Sequence, residues 1–236
     1  MAYQVLSCTV DDGAGLAKNN MSAFWGNTWW KLLWPDRTIE SIIESAAARL
    51  PKLMLTERDI RRHQKVVDTA SGEIVGYARW ILPESRKSDW LEAQTPDVGD
   101  EDKKRFEKDF DAADFNYRKD MEVLDDHVHE WRTKYKQGDC IELDYLGVHP
   151  NRHRQGVASM LVRSGIETAN SLGLDIYLVA MGRGPHDLYR KAGFEMLEEK
   201  SLSLKGYGAD EVYETFYMVK RVNLGETSAI TPTGQE

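Results

Sequence analysis

A short basic loop between a predicted strand and a predicted helix carries the residues of this chain best suited to binding an anion. Arg152 and Arg154 supply positive charge, Gly156 lets the backbone approach a ligand closely, and Ala158 keeps the next turn small. A helix that begins directly after such a loop turns several unpaired backbone N–H groups toward its N-terminus. The loop therefore predicts a cradle for an anion such as a phosphate.

Two carboxylates lie in the strand that precedes this loop. Glu142 and Asp144 are two residues apart, so a regular strand places them on one face, with Leu143 and Tyr145 on the other. Carboxylates in this arrangement can accept a proton, bind a cation or simply lie in solvent. The sequence leaves these alternatives open.

The elements that must position these residues follow from local patterns. A strand is predicted over 140–148 because the chain is partly alternating and stops before Pro150. Apolar residues at helical spacing then continue to the stop signal Gly173. The run 174–180 is typical of a buried strand, and a short helix is predicted to end at Gly193.

The loop contains neither the GxxxxGK[ST] nor the GxGxxG nucleotide motif. It resembles instead the acetyl-CoA-binding motif [R/Q]-x-x-G-x-[G/A] of the GNAT N-acetyltransferase superfamily. The run 154–158 matches the last five positions, and His153 stands where the family has Arg or Gln. A second family signature, L-Y-x-x-x-G-F, is complete from Leu188 to Phe194. The resemblance covers about residues 139–196.

The resemblance implies an α/β fold with a mixed, mostly antiparallel sheet, a splayed parallel pair of strands and helices on both faces. It also implies acetyl-CoA as cosubstrate, held largely by backbone amides. The cofactor-binding residues implied in this way are Leu146, Gly147, Val148, His153, Arg154, Gln155, Gly156, Val157, Ala158, Ser159 and Tyr189.

The catalytic residues implied by the resemblance are Tyr189 and one of the two strand carboxylates. Tyr189 matches the family tyrosine that protonates the coenzyme sulfur, or packs on the coenzyme tail. An alkyl amine has a pKa near about 10, so it must lose a proton before attack. Glu142 is the first candidate for the base because of its position relative to the histone-acetylating branch, and Asp144 is the second. Either could bind the amine instead.

The implied reaction is N-acetylation by direct attack in a ternary complex. A small-molecule amine is the leading acceptor, because aromatic and acidic features suit a cation. A protein N-terminus or lysine is the alternative, and a catalytically silent acetyl-CoA-binding interaction module is an alternative of another class.

Composition and charge restrict the class of partner and the cellular compartment. A net charge of −8 over 236 residues argues against nucleic acid as a main partner. Cys8 and Cys140 form no disulfide framework, and no apolar run approaches a membrane span. These features predict a cytoplasmic protein, with the nucleus not excluded, as a monomer or homodimer. The six histidines lack a convincing set of partner ligands, so no metal is expected.

One GNAT-like domain is expected over 1–224, with a helical insertion at about 84–138 and a disordered tail over 225–236. The insertion is either an arm packed on the domain or a lid or dimer contact near the acceptor site. An aromatic helix ending near Leu33 and a second helix ending at Pro51 are predicted after the first strand. In GNAT-like proteins two helices at this position wall the acceptor side. The resemblance therefore implies that the tryptophans of the aromatic region line the substrate site, whereas aromatic residues at helical spacing favour core packing for most of them. These tryptophans are Trp25, Trp29, Trp30 and Trp34.

Overall fold

The computed structural model describes residues 2–136 and 138–222, which form a seven-stranded mixed sheet with helices on both faces. The strand order is β1-β2-β3-β4-β5-β7-β6, and β4 and β5 are the parallel pair among antiparallel neighbours. The strands are β1 Tyr3–Ser7, β2 Arg61–Asp68, β3 Ile74–Ile81, β4 Cys140–Val148, β5 Asp175–Met181, β6 Glu195–Ser203 and β7 Val212–Lys220. This architecture confirms the predicted fold class.

Helices cover the two faces of the sheet. They are α1 Gly13–Phe24, α2 Thr28–Leu32, α3 Ile39–Leu55, α4 Asp100–Ala112, α5 Asp126–Tyr135, α6 Val157–Leu172 and α7 Arg183–Lys191. Helices α6 and α7 pack on the face that carries the largest core cluster, and α1, α3 and α5 pack on the opposite face. No helix of the described segments combines the length and apolarity needed to cross a bilayer.

The main core is built around one close approach between a helix and the sheet. Trp80 on β3 is fully buried, and its indole N–H donates to Gln64 on β2 at 3.1 Å. A Cβ added at Gly165 of α6 would lie 2.1 Å from the Trp80 ring. Helix α6 can therefore sit this low on the sheet only with glycine at that position.

The first two predicted helices differ from the observed ones. The expected aromatic helix is broken at Trp25–Asn27, where α1 ends and α2 begins after Asn27. The expected stop at Pro51 is wrong, because α3 continues through it to Leu55. Gly13 lies against the Pro51 ring, and a Cβ added at Gly13 would lie 3.2 Å from two ring carbons. The Pro51 ring thus packs where residue 13 has no side chain.

The segment 84–138 contains two α-helices, α4 and α5, and several short 3-10 turns. One or two helices are expected here from an apolar seam that steps by three and four residues, formed by Met121, Leu124, Val128, Trp131 and Tyr135, and this seam divides between a 3-10 segment and α5. Met121 and Leu124 lie in a 3-10 segment, whereas Val128 and Trp131 lie in α5 and pack against the sheet. The predicted tail over 225–236 lies outside the described residues.

Candidate active site

A cavity of about 420 Å³ opens where β4 and β5 separate. Their parallel pairing ends at Leu143 and Leu178. Beyond this point β4 continues along β3 to Val148, and β5 continues along β7 to Met181. The edge of β4 that faces β5 therefore has no strand partner over 144–148, and backbone groups there are available to a ligand.

A β-bulge lies at the point of separation. Arg79 pairs with Tyr145 and Trp80 pairs with Leu143, so Asp144 is an extra residue on β4. The bulge reverses the side-chain alternation after it. Tyr145 consequently packs with Tyr77 on the α1 face, not on the Leu143 face that a regular strand predicts. That part of the sequence-based expectation is wrong.

Asp144 lines the cavity and is held by Arg79. The arginine Nε and Nη2 both lie 2.5 Å from Oδ2 of the carboxylate, and both side chains are about a quarter exposed. Burial alone would lower the pKa of Arg79, but the charge and hydrogen bond of the Asp144 carboxylate help to outweigh it, and the pKa is raised. The guanidinium therefore stays charged, and it fixes the direction in which the carboxylate points.

Glu142 occupies a different position. Arg132 Nε donates to Glu142 Oε1 at 2.6 Å, and Lys136 Nζ donates to Oε2 at 3.2 Å. The carboxylate is 12% exposed and lines a neighbouring pocket of about 180 Å³ rather than the large cavity. Asp144 lines both spaces, so the two carboxylates do share one side of the strand.

Tyr189 of α7 contributes to the opposite side of the cavity wall. It is 5% exposed, and its ring packs edge-on against Phe194 with centroids 5.6 Å apart. Burial raises the pKa of Tyr189 above its ordinary value. The phenol is therefore protonated at neutral pH and can act as a proton donor.

The predicted anion cradle lies at the N-terminus of α6. Gly156 is the N-cap residue with φ +83°, and Arg154 just before it has φ +59°. A Cβ at Gly156 would meet nothing within 4 Å, so the protein leaves open space there. The backbone N–H groups of the first turn of α6, from Val157 onward, begin at this point.

The side chains of the same loop differ in whether they are paired within the protein or exposed at the helix start. His153 Nε2 lies 3.0 Å from the carbonyl oxygen of Val148, which ties the loop back to β4. Arg152 is turned away toward Asp68, at 3.3 Å, so its charge is already paired. Arg154 and Gly156 are exposed at the helix start. Of the two arginines expected to add charge, Arg154 is therefore the better placed.

A family model of the Acetyltransferase (GNAT) family matches residues 27–194, which is most of the chain. The match includes β4, the bulge, the cradle and Tyr189. The chain belongs to the GNAT acetyltransferase family. Among curated protein sequences, none matches it.

Solved GNAT structures share its fold at low sequence identity. A histone acetyltransferase HPA2 and related acetyltransferase from Corynebacterium glutamicum has a TM-score of 0.56 and 19% identity, covering 96% of this chain and 99% of its own. Arylalkylamine N-acetyltransferase 2 from Aedes aegypti has a TM-score of 0.57 and 13% identity, and the match covers 94% of this chain and 100% of that one. A polyamine N-acetyltransferase from Drosophila melanogaster has a TM-score of 0.55 and 10% identity, and the match covers 94% of this chain and 100% of that one.

One wall of the cavity is largely aromatic. Trp29, Trp30 and Trp34 line it, and all three also pack in or against core clusters. Trp25 packs against a core cluster beside α1 and α3 and is not part of the lining. Core packing, expected for most of the four tryptophans, thus holds for all of them, and three also line the cavity.

Several lining residues of this GNAT cavity were not expected from sequence. They come from the segment after α4 and from β7, and are Phe115, Tyr117, Met121, Glu122, Leu124, Asp125 and Tyr213. The segment 84–138 therefore packs on the sheet and also borders the cavity, and its role as a lid or dimer contact stays a prediction. The apolar Met121–Leu124 spacing was the available signal, but it did not show which element these residues face.

Two buried histidines contact side-chain hydroxyl groups. Buried His127 lies 2.7 Å from the Thr215 hydroxyl on β7, and buried His63 lies 2.8 Å from the Tyr77 hydroxyl. No group of three or more metal-ligating side chains occurs within 2–136 and 138–222.

Proposed function

We propose that this GNAT protein transfers an acetyl group from acetyl-CoA to the amino group of a small-molecule amine. The observation that carries the proposal is the position of Asp144. Its carboxylate is fixed by Arg79 at the point where β4 and β5 separate, in the wall of an aromatic cavity that also includes Tyr189.

The residues present fit a coenzyme with a pyrophosphate and a narrow tail. The open space at Gly156 and the first-turn N–H groups of α6 would hold the pyrophosphate, with Arg154 beside them. The unpaired edge of β4 over 146–148 would hydrogen-bond the tail. When bound, acetyl-CoA supplies an activated thioester.

Asp144 is the better placed of the two carboxylates to bind the incoming amine and take its proton. It lines the cavity, whereas both oxygens of Glu142 already receive bonds from Arg132 and Lys136. We therefore place the base at Asp144, in the reverse of the order expected from sequence. Both contacts from Arg79 go to Oδ2, so Oδ1 can take the proton of the amine as the C–N bond forms.

Tyr189 completes the proton balance of the proposed reaction. The amine nitrogen forms a bond to the acetyl carbon, the C–S bond breaks, and Tyr189 donates its proton to the departing sulfur. Solvent then returns a proton to the phenolate. Backbone N–H groups near the bulge are suited to stabilising the carbonyl oxygen as it gains negative charge.

Two features support a small amine as the acceptor. The cavity is enclosed by aromatic side chains and has the volume of a small-ligand pocket. Structural relatives include proteins named as arylalkylamine and polyamine N-acetyltransferases. Both names describe acceptors that combine an amine with an apolar body.

The test is release of free thiol from acetyl-CoA with a panel of arylalkylamines, alkylamines, lysine peptides and peptides with free N-termini. We expect turnover with one or more small amines and little with peptides. Faster turnover with peptides would replace the small-molecule acceptor by a protein. Coenzyme binding without thiol release from any acceptor would favour a silent binding module.

A further inference from the structure

The acceptor cavity contains more negative charge than acetylation of one amine requires. Three carboxylates line it: Glu122, Asp125 and Asp144. Asp144 is paired with Arg79, but no lysine or arginine of the described chain pairs with the other two. Within the described residues, the cavity lining also includes no lysine, arginine or histidine.

Tyrosine hydroxyls hold the two remaining carboxylates. Tyr213 donates to Asp125 Oδ1 at 2.7 Å, and Tyr117 donates to Glu122. Burial, followed by the charge of Asp125, raises the pKa of Tyr213, so this phenol remains a neutral donor. Each contact orients a carboxylate without neutralising it, and each leaves a second oxygen for another donor.

The aromatic wall beside these carboxylates is also suited to a cation. Trp29 packs edge-on against both Trp30 and Tyr213, with ring centroids 5.3 Å apart in each pair. The face of an aromatic ring attracts positive charge, and tryptophan does so most strongly. Carboxylates and ring faces thus favour the same kind of ligand group.

Two indole N–H groups of the wall have no hydrogen-bond acceptor within the described part of the chain. They belong to Trp30 and Trp34, which both line the cavity, and Trp34 is 4% exposed. A buried donor without a partner is costly, so these positions favour a ligand or water that offers an acceptor atom.

We propose that the acceptor carries a second basic group besides the amine that is acetylated. Glu122 and Asp125 bind this second cation, while the first amine lies at Asp144. The acceptor class is therefore a diamine whose two nitrogens are separated by an apolar linker, which the tryptophans enclose. This inference rests on the proposed function, because it takes the cavity to be the acceptor site.

The test compares acceptors that differ only in the second cation. Each α,ω-diaminoalkane of a series is paired with the n-alkylamine of equal carbon number, and para-xylylenediamine is paired with para-methylbenzylamine. Binding is measured by calorimetry and by tryptophan fluorescence in the presence of coenzyme A, and turnover is measured by thiol release. The variants are Glu122→Gln with Asp125→Asn, and the matched control Glu130→Gln with Asp126→Asn, whose carboxylates are exposed outside the cavity.

We expect the best diamine to bind about tenfold or more tightly than its matched monoamine, as for a charge-assisted contact that is partly exposed. The Glu122/Asp125 variant should lose that preference, and the Glu130/Asp126 control should keep it. Equal binding of diamine and monoamine, absence of binding by both, or a preference that survives in the Glu122/Asp125 variant overturns the proposal. A diamine preference in binding without acetylation of any amine would instead reject the proposed function.

Discussion

Arg79 of β3 and Asp144 of β4 form an ion pair at the position where the central sheet divides, with 2.5 Å between Nη2 and Oδ2. Asp144 follows Glu142 by two residues, so regular alternation before the bulge places it on the face of β4 that Arg79 occupies on β3. The bulge then brings Tyr145 to that same face, beside Tyr77.

Asp144→Asn should lower kcat/KM for the best amine by about 10²- to 10⁴-fold, the range expected for loss of a general base. The matched variant Glu142→Gln should cost less, because Glu142 lies outside the main cavity. Steady-state kinetics measures both values, and thermal melts confirm that both variants fold. A larger loss for Glu142→Gln would restore the order expected from sequence.

Tyr189→Phe should lower kcat by roughly tenfold or more while coenzyme binding is retained, because the ring stays and the proton donor is lost. Burial raises the pKa of this phenol, so Tyr189 should cause no loss of rate up to at least about pH 10. The pH profile of kcat in wild type and variant measures this. An unchanged kcat in the variant would assign Tyr189 to packing alone.

Gly156→Ala should weaken coenzyme A binding by about tenfold or more. The residue has φ +83°, where a side chain costs about 1 kcal/mol, and a methyl group would enter the space beside the α6 N-terminus. Calorimetric titration with coenzyme A measures the loss. Gly208→Ala is the matched control, because Gly208 also has a positive φ, +103°, and a Cβ there also meets nothing within 4 Å. Equal effects of the two variants would argue against a cradle at Gly156.

Cys140→Ala should leave kcat within about twofold of wild type. Burial raises the pKa of the Cys140 thiol to about 11, so it is protonated at neutral pH and a poor nucleophile. Direct attack on the thioester then needs no acyl-cysteine. Intact-protein mass spectrometry after mixing with acetyl-CoA provides the second measurement. A stable acetyl adduct that disappears in the variant would contradict direct attack.

Unfolding should depend on pH through His63. Burial, followed by the charges of Arg79, Arg61 and Arg62, lowers its pKa to about 3. The unfolded chain binds this proton below about pH 6.5 and the folded chain does not, so stability is complete above that pH and falls as pH decreases toward 3. The loss from this group approaches 1.4 kcal/mol per pH unit.

Urea unfolding of wild type and His63→Gln between neutral pH and about pH 5 measures this contribution. The variant should lose stability less steeply as pH decreases. The control His129→Gln, with an exposed side chain on α5, should keep the wild-type dependence because His63 is intact. Parallel curves for wild type and His63→Gln would show that His63 is not buried as a neutral group.

The unit from β4 to α7 could be predicted from sequence because its signals are local. Gly156 and Gly173 have positive φ at the two ends of α6, and Pro150 follows β4 after one residue, His149. Each of these residues restricts the backbone whatever lies around it. The helix around Pro51 is an exception to this kind of rule, because α3 continues through a proline that is expected to end it.

The sequence by itself determined the family, the order of strands and helices around the cradle, and the residue types available for acetyl transfer. Only the tertiary structure decided which carboxylate reaches the cavity, since that depends on where β4 and β5 separate. It also brought Asp125 and Tyr213, 88 residues apart, into contact at the cavity wall. Local patterns restrict individual backbone angles, whereas strand register and contacts between distant segments are set by packing of the whole chain.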